Sequence, residues 1–199
     1  MLYLFICLFK PLLYLIFRPK VYGNRKALKT KGKVIFICNH INMLDPIMLA
    51  LVSPRVIHFM AKKELFEKKL LRAILKLCFV FPVDRGSADL KSLRNALKLL
   101  EKGKAFGIFP EGRRMVADRM DEFELGTAFI AMRSGAPVVP IYLSNDSFNG
   151  KGVKMIVGEP ILASETQLNV SRRENEVIFM QRMKNTMNGL KRELEDKCS

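Results

Sequence analysis

An α/β single domain with a largely parallel central sheet flanked by helices, preceded by a short N-terminal membrane-interfacial helical segment, is predicted by three observations. After residue 32, short apolar runs alternate with longer helical stretches, the pattern of parallel strands joined through helices. Val34 to Cys38 (VIFIC) is apolar throughout, as a strand buried on both faces must be. Residues 1–17, MLYLFICLFKPLLYLIF, hold fifteen apolar residues interrupted only by Lys10-Pro11, leaving little polar face for water. At 199 residues the chain suits one well-buried domain. The expected division is an anchor segment over 1–31 and the folded domain over 32–199.

The first seventeen residues come first in the chain and choose its surroundings. As one helix they would span roughly 25 Å, short of the ~30 Å hydrocarbon core, so a transmembrane helix is not expected. A secretory signal is disfavoured too, since no positive charge precedes the run and no small-x-small site follows it. The expectation is a re-entrant or interfacial pair of helices broken at Lys10-Pro11, sunk into one leaflet. Arg18, Lys20, Arg25, Lys26, Lys29, Lys31 and Lys33 follow, seven cations in sixteen residues without an acid. Beside an anionic leaflet each is worth about 1 kcal/mol, the second signal that stable peripheral attachment needs. The expected location is the cytoplasmic face of the cell membrane, peripheral or monotopic.

The net charge of +15 demands an anionic partner. Nucleic acid fits poorly: there is no Trp, the tyrosines are not interleaved with the cations, and no helix-turn-helix, zinc or RNP-type pattern is present. The four cysteines, Cys7, Cys38, Cys78 and Cys198, form no C-x-x-C pair, so neither a disulfide framework nor a metal site is expected.

The strand at Val34 to Cys38 is followed at once by Asn39-His40, and Asp45-Pro46 starts the next helix, Pro46 to Val52, with the aspartate as expected N-cap. Residues five apart on an ideal helix point about 140° from one another, so His40 and Asp45 meet only across a loop. A carboxylate on one imidazole nitrogen fixes the tautomer and stabilises the imidazolium, leaving the other nitrogen to take a proton from a hydroxyl. By itself such a pair is more often a capped helix beside a solvated imidazole. The second histidine, His58, has no acid at comparable spacing and reads as structural.

The remaining strands are expected at Val56 to Met60, Phe79 to Val83, Ala105 to Phe109, Val138 to Leu143 and Val153 to Val157. Helices are expected at Lys63 to Leu77, Ala88 to Glu101, Phe123 to Arg133 and Arg172 to Glu195, the last a polar surface helix that covers the domain or faces lipid. In such sheets ligands bind outside the carboxyl ends of the strands. His40, Arg85 and Glu111 each follow an expected strand by a few residues, which puts them on that one edge. Arginine is the preferred bidentate phosphate ligand, although Asp84-Arg85 also reads as a strand-end ion pair. Glu111-Gly112-Arg113-Arg114 resembles an anion cradle, because backbone N–H groups close on a phosphate where glycine permits. Lys62 reads equally as a phosphate ligand or a solvated cation.

Four ordered blocks, NHINMLD, FVFPVDRG ending at Gly86, FPEGRRM from Phe109 to Met115, and APVVPIYL from Ala136 to Leu143, together resemble the glycerolipid acyltransferase family between about Gly32 and Pro160. The resemblance implies that His40 is the base and Asp45 its partner. It implies that Arg85 and the Glu111-Gly112 block hold the acceptor's phosphate and glycerol, and that Val139-Pro140 lines the acyl side. The expected reaction moves a fatty acyl group from acyl-CoA or acyl carrier protein onto a lysophospholipid, 1-acylglycerol-3-phosphate, in phospholipid biosynthesis, with no cofactor and no metal. Where the family reads FPEGTRS this chain has Arg113 for threonine and Met115 for serine, and the family's F-K-x-G is Phe123-Glu124-Leu125-Gly126. These departures keep a different lyso-lipid acceptor open. A basic protein that binds anionic lipid without turnover is the non-enzymatic alternative, disfavoured because lipid binding has no need of His40 and Asp45.

Overall fold

The computed structural model describes residues 2–69, 72–73, 75, 79–83, 90–114, 123–149, 152–166 and 168–198. Among them a seven-stranded sheet runs in the order β1-β7-β6-β2-β5-β3-β4, with strands Lys20–Gly23, Val34–Cys38, Ile57–Lys62, Val80–Val83, Ala105–Ile108, Val138–Leu143 and Lys154–Val157 as β1 to β7. Every pairing is parallel except that of β6 with β7. The expected largely parallel α/β architecture is therefore the observed one. Both β2 and β6 are buried at every residue, as their unbroken apolar sequences require.

Two hydrophobic layers cover the sheet. Helices α3 (Leu90–Glu101), α4 (Leu125–Ser134) and α5 (Arg172–Asp196) pack on the face that shows Ile35, Ile37, Phe106 and Tyr142. On the other face Phe36, Cys38, Val139 and Ile141 meet α2 (Asp45–Val52), whose Met48, Leu49 and Leu51 are buried. Helix α5 opens with a capping box, Ser171 Oγ accepting from Glu174 N at 3.3 Å and Glu174 Oε2 from Ser171 N at 2.9 Å. Hydrogen bonds to its carboxyl from the Ser171 side chain and, second, the Ser171 backbone N–H hold Glu174 below its ordinary pKa. Phe179, Met183, Met187, Leu190 and Leu194 recur at helical spacing and put one stripe of this polar helix into the core, so it covers the domain.

Three expectations change. The segment broken at Lys10-Pro11 is a single helix, α1 (Leu2–Phe17), that runs through Pro11. Leu13 and Phe17 pack against the α2 layer, while Leu12, Leu15 and Ile16 stay exposed. No helix among the described residues is long and apolar enough to cross a membrane. Residues 20–29 lie within the expected anchor segment, yet β1 pairs with β7 and the following 3₁₀ helix Arg25–Lys29 buries Ala27 and Leu28. A four-residue edge strand inside a cationic run carries almost no hydrophobic pattern, which is why it does not stand out in the sequence. Finally, the expected helix at Lys63 begins as a 3₁₀ turn, Lys63–Phe66, and much of its remainder lies outside the described residues.

Candidate active site

Because β2 to β6 run in one direction, the segments that follow β2, β3 and β5 emerge on one edge of the sheet. His40 leaves β2 there and turns back onto α2. Its Nδ1 lies 2.8 Å from Asp45 Oδ2, with the imidazole side chain 17 % exposed and the carboxylate fully buried. The same oxygen accepts the N–H of Ile41 at 2.7 Å and of Asn42 at 2.8 Å. Asp45 is thus not the N-cap expected of it. Leu44 occupies that position without a capping side chain, Asp45 is the first helical residue, and Pro46 follows. Its carboxylate faces back into the loop because three donors wait there, and the helix N-terminus favours its charge.

Asn39, wholly buried, anchors the other side of this loop. Its Nδ2 donates to the Leu143 carbonyl at 2.9 Å and its Oδ1 accepts from Leu143 N at 2.7 Å, tying the end of β2 to the end of β6. Beneath the imidazole lies Phe109, its ring stacked on His40 at 4.3 Å and 25°. Phe59 in turn stacks on Phe109 at 6.1 Å and 13°. That stack depends on Gly107: a Cβ there would meet the Phe59 ring at 2.3 Å. The imidazole therefore has its edge fixed by a carboxylate and its face by an aromatic wall.

The turn after β5 is of a different kind. Gly112, at φ +67°, donates its N–H to the Phe109 carbonyl at 3.0 Å, so this donor closes the turn and does not face a substrate. The Glu124 carboxylate lies over the turn, since a Cβ on Gly112 would meet its Oε1 at 2.1 Å. Arg113 and Arg114 leave the turn exposed. Glu111 is buried and faces inward, close enough to Cys38 that it and Asp45 add to the rise that burial imposes on the thiol's pKa. A buried carboxylate repels a phosphate, so burial argues against Glu111 as a phosphate ligand, while Arg113 and Arg114 stand exposed on the same turn. Lys62 ends β3 on the same edge, its Nζ 3.5 Å from Glu64 Oε1 with both side chains half-exposed.

Val139 and Pro140 are fully buried in the body of β6, opposite Phe36 and Ile37, and build the core without offering a surface to an acyl chain. Arg85 lies outside the described residues. The structure thus brings together His40, Asp45, Lys62, Glu111, Gly112, Arg113 and Arg114, and adds Asn39, Phe59 and Phe109. Asn39 was part of the motif, but its bonding partner lies 104 residues downstream, so nothing local marked it.

The family model described as Acyltransferase matches residues 18–144. A 1-acyl-sn-glycerol-3-phosphate acyltransferase of Bacillus subtilis is 36% identical over 148 residues, covering 71% of this chain and 73% of that protein. A chloroplastic enzyme of the same name from Brassica napus is 25% identical over 177 residues, 83% of this chain but 51% of its own length. Among solved structures, the 1-acyl-sn-glycerophosphate (LPA) acyltransferase of Thermotoga maritima superposes with a TM-score of 0.73 at 21% identity, over 99% of this chain and 80% of the other, a likeness of fold.

Proposed function

Since the chain belongs to the acyltransferase family, we propose that it transfers a fatty acyl group from acyl-CoA or acyl carrier protein to the sn-2 hydroxyl of 1-acylglycerol-3-phosphate, giving phosphatidic acid. The observation that carries this reading is the 2.8 Å bond between His40 Nδ1 and Asp45 Oδ2 at the carboxyl edge of the sheet. With Nδ1 held as a donor, Nε2 is the nitrogen that accepts the hydroxyl proton as the oxygen attacks the thioester carbonyl. Asp45 stabilises the imidazolium that forms, and Phe109, stacked on the ring face, fixes the orientation of the imidazole. Collapse of the tetrahedral intermediate expels the thiolate, which takes the proton back from Nε2. A thioester is already activated and its thiol leaves readily, so alignment of two substrates supplies most of what catalysis needs and no acyl-enzyme is required.

Arg85, Arg113 and Arg114 are the proposed phosphate ligands, with Lys62 contributing charge at the same edge. The exposed side of α1 is the proposed contact with one leaflet of an anionic membrane, through which the lysolipid reaches the edge laterally. The second reading, a different lyso-lipid acceptor, is favoured by Glu124, whose carboxylate over the Gly112 turn would oppose a terminal phosphate and attract an amine or hydroxyl head group. Thioester consumption by wild type and His40→Ala, measured with lysophosphatidic acid, glycerol 3-phosphate and lyso-lipids of larger head group, tests both. Turnover on lysophosphatidic acid that vanishes in the variant supports the first; a preference for an amine-bearing acceptor supports the second.

A further inference from the structure

The His40 loop is tied to the end of α1 by a run of paired bonds that no step of the proposed reaction uses. β6 runs parallel to β2 and antiparallel to β7, and β7 runs parallel to β1, so the end of β6 and the starts of β7 and β1 all lie on the His40 edge. α1 therefore ends there too, at Phe17, just before Lys20 opens β1. Val153 N donates to the Phe17 carbonyl at 2.8 Å and Lys20 N to the Val153 carbonyl at 2.8 Å, so the end of α1 and the start of β1 grip one buried residue from both sides. Beside it, Lys154 N donates to Ser147 Oγ at 3.1 Å, and the Lys154 carbonyl accepts from Ser147 Oγ at 3.3 Å and from Ser144 N at 2.9 Å. Leu143 comes next along β6, and its N–H and carbonyl both bond the side chain of Asn39, the residue before His40.

One ring contact clasps the two ends of this run together. The Phe148 ring meets Phe17 edge-on, with centroids 6.2 Å apart and planes at 79°. Both rings pack on the apolar layer that holds Val153, Met155, Met48 and Leu49. To place its ring there Phe148 adopts φ +74°, a left-handed conformation that a bulky residue keeps only where its surroundings over-determine it. Gly152, at φ +86°, lets the chain return close against α1, since a Cβ there would meet the Arg18 carbonyl oxygen at 3.1 Å. Ser147, next to Phe148, is buried and spends its hydroxyl on the Lys154 backbone as donor and acceptor. The strain at Phe148 is thus stored in a contact between α1 and the segment that continues β6, on the edge where the imidazole stands.

We propose that Phe148 is a positioning residue for the reaction: clasped to Phe17, it fixes the end of β6 and, through Leu143 and Asn39, the His40 ring, which makes the end of α1 part of the catalytic frame. This rests on the acyltransferase reading of His40. Thioester release from the full chain, with saturating donor and lysophosphatidic acid in detergent micelles, tests it. Phe148→Ala is expected to lower kcat roughly tenfold with KM for each substrate within about twofold, since a misplacement of about 1 Å at the reacting group carries losses of that size or more. Phe17→Ala should match it, and the double variant should lose little beyond either, because the two act through one contact. Phe148→Tyr, which keeps the ring, should retain the wild-type kcat, and the milder Phe17→Leu carries the test where an alanine variant does not fold. The chain has two histidines, so their ring signals are separable by NMR. The Nδ1 proton that His40 shares with Asp45 should shift or broaden in Phe148→Ala while the signals of His58 stay in place. Met187→Ala opens a cavity in the opposite layer and should lower the thermal midpoint with kcat and the His40 signal unchanged. Equal loss of kcat in Met187→Ala at an equal drop in midpoint would reduce Phe148 to a support of the fold and overturn the proposal, as would a Phe148→Ala protein with wild-type kcat and an unmoved His40 proton. A wild type that acylates no lyso-lipid overturns the acyltransferase reading instead, and the His40 signal then decides the clasp by itself.

Discussion

The two histidines occupy opposite edges of one sheet, and each makes a hydrogen bond through Nδ1. For His40 the partner is the buried Asp45 carboxylate at 2.8 Å, with Phe109 stacked on the ring. For His58 it is the Ala105 backbone carbonyl at 3.2 Å, with Phe79 tilted against the ring at 5.3 Å and 53°. Similar contacts thus surround both rings, and the difference lies in charge. An anionic partner lowers the energy of an imidazolium; a neutral carbonyl does so weakly, and burial with nearby Lys104 outweighs it, so the pKa of His58 falls below its ordinary value. A histidine becomes a base for catalysis through what sits on its far nitrogen, not through being half-buried beside an aromatic ring.

The comparison breaks first on activity. His40→Ala should reduce acyl transfer by about 10² to 10⁴ with the thermal midpoint nearly unchanged, while His58→Gln leaves turnover within about twofold of wild type. Steady-state thioester release checks both, and comparable losses in the two variants would abolish the distinction. Asp45→Asn should also lose a large part of kcat, because an amide cannot offset the imidazolium charge. Restoration of that loss is not expected from any change at Ala105, whose contact to His58 is through the backbone.

A smaller effect sharpens how the edge divides its work. The His40 loop is bonded from every side, whereas Arg113 and Arg114 stand exposed on their turn. Groups that meet the reacting atoms act on kcat, and cations that attract the acceptor's phosphate act on substrate capture. Arg114→Ala and Arg85→Ala should therefore lower kcat/KM for a phosphate-bearing acceptor by roughly 10- to 100-fold, at about 1.5–3 kcal/mol for a charged hydrogen bond, mostly through KM. On a lyso-lipid lacking a terminal phosphate the losses should shrink; equal losses on both acceptors would make these residues supports of the fold.

Next comes Asn39, which supplies the loop with its tether. Asn39→Ala deletes two bonds to Leu143 and leaves a buried N–H and carbonyl without their partner, at a cost of about 1–3 kcal/mol in each unsatisfied group's environment. Denaturant unfolding should show the loss of stability, and kcat should fall with it as the His40 loop loosens. Unchanged stability would mean that β6 holds its end without the tether.

The path from sequence to this picture was uneven for physical reasons. Strands such as Val34–Cys38 and Val138–Leu143 were legible to the residue because complete burial writes an unbroken apolar run. The His40 and Asp45 pair was legible because strand, loop and proline-started helix bring residues five apart together. By contrast Lys20–Gly23 pairs at the sheet's edge, half-exposed, and its short pattern is lost among cations. Phe109 could have faced either side of a strand end; Gly107 decides it, by admitting Phe59 as the support of its ring, and that is a tertiary contact. Val139 and Pro140 belonged to a block whose family role is functional, yet their place in a central strand makes them core. The proline inside α1 shows the same limit: propensity predicts a break, and a helix packed through Leu13 and Phe17 runs on.

The smallest effect is the pH dependence that His58 alone should impose. Its folded-state pKa is lowered, chiefly by burial, so the neutral ring is the form the fold prefers. In the unfolded chain the group returns to about 6.5 and binds a proton there more readily than the folded protein does. Its contribution to stability is therefore intact above about pH 6.5 and is lost progressively as the pH falls below that value toward the folded pKa. The ring is half-exposed, so solvent screens part of this and the effect is modest. Thermal midpoints at about pH 7.5 and 5.5, a window above the ordinary carboxylate titrations, should differ more for wild type than for His58→Gln, whose amide keeps a donor for Ala105 and cannot ionise. An identical drop in both proteins would place the pH sensitivity elsewhere.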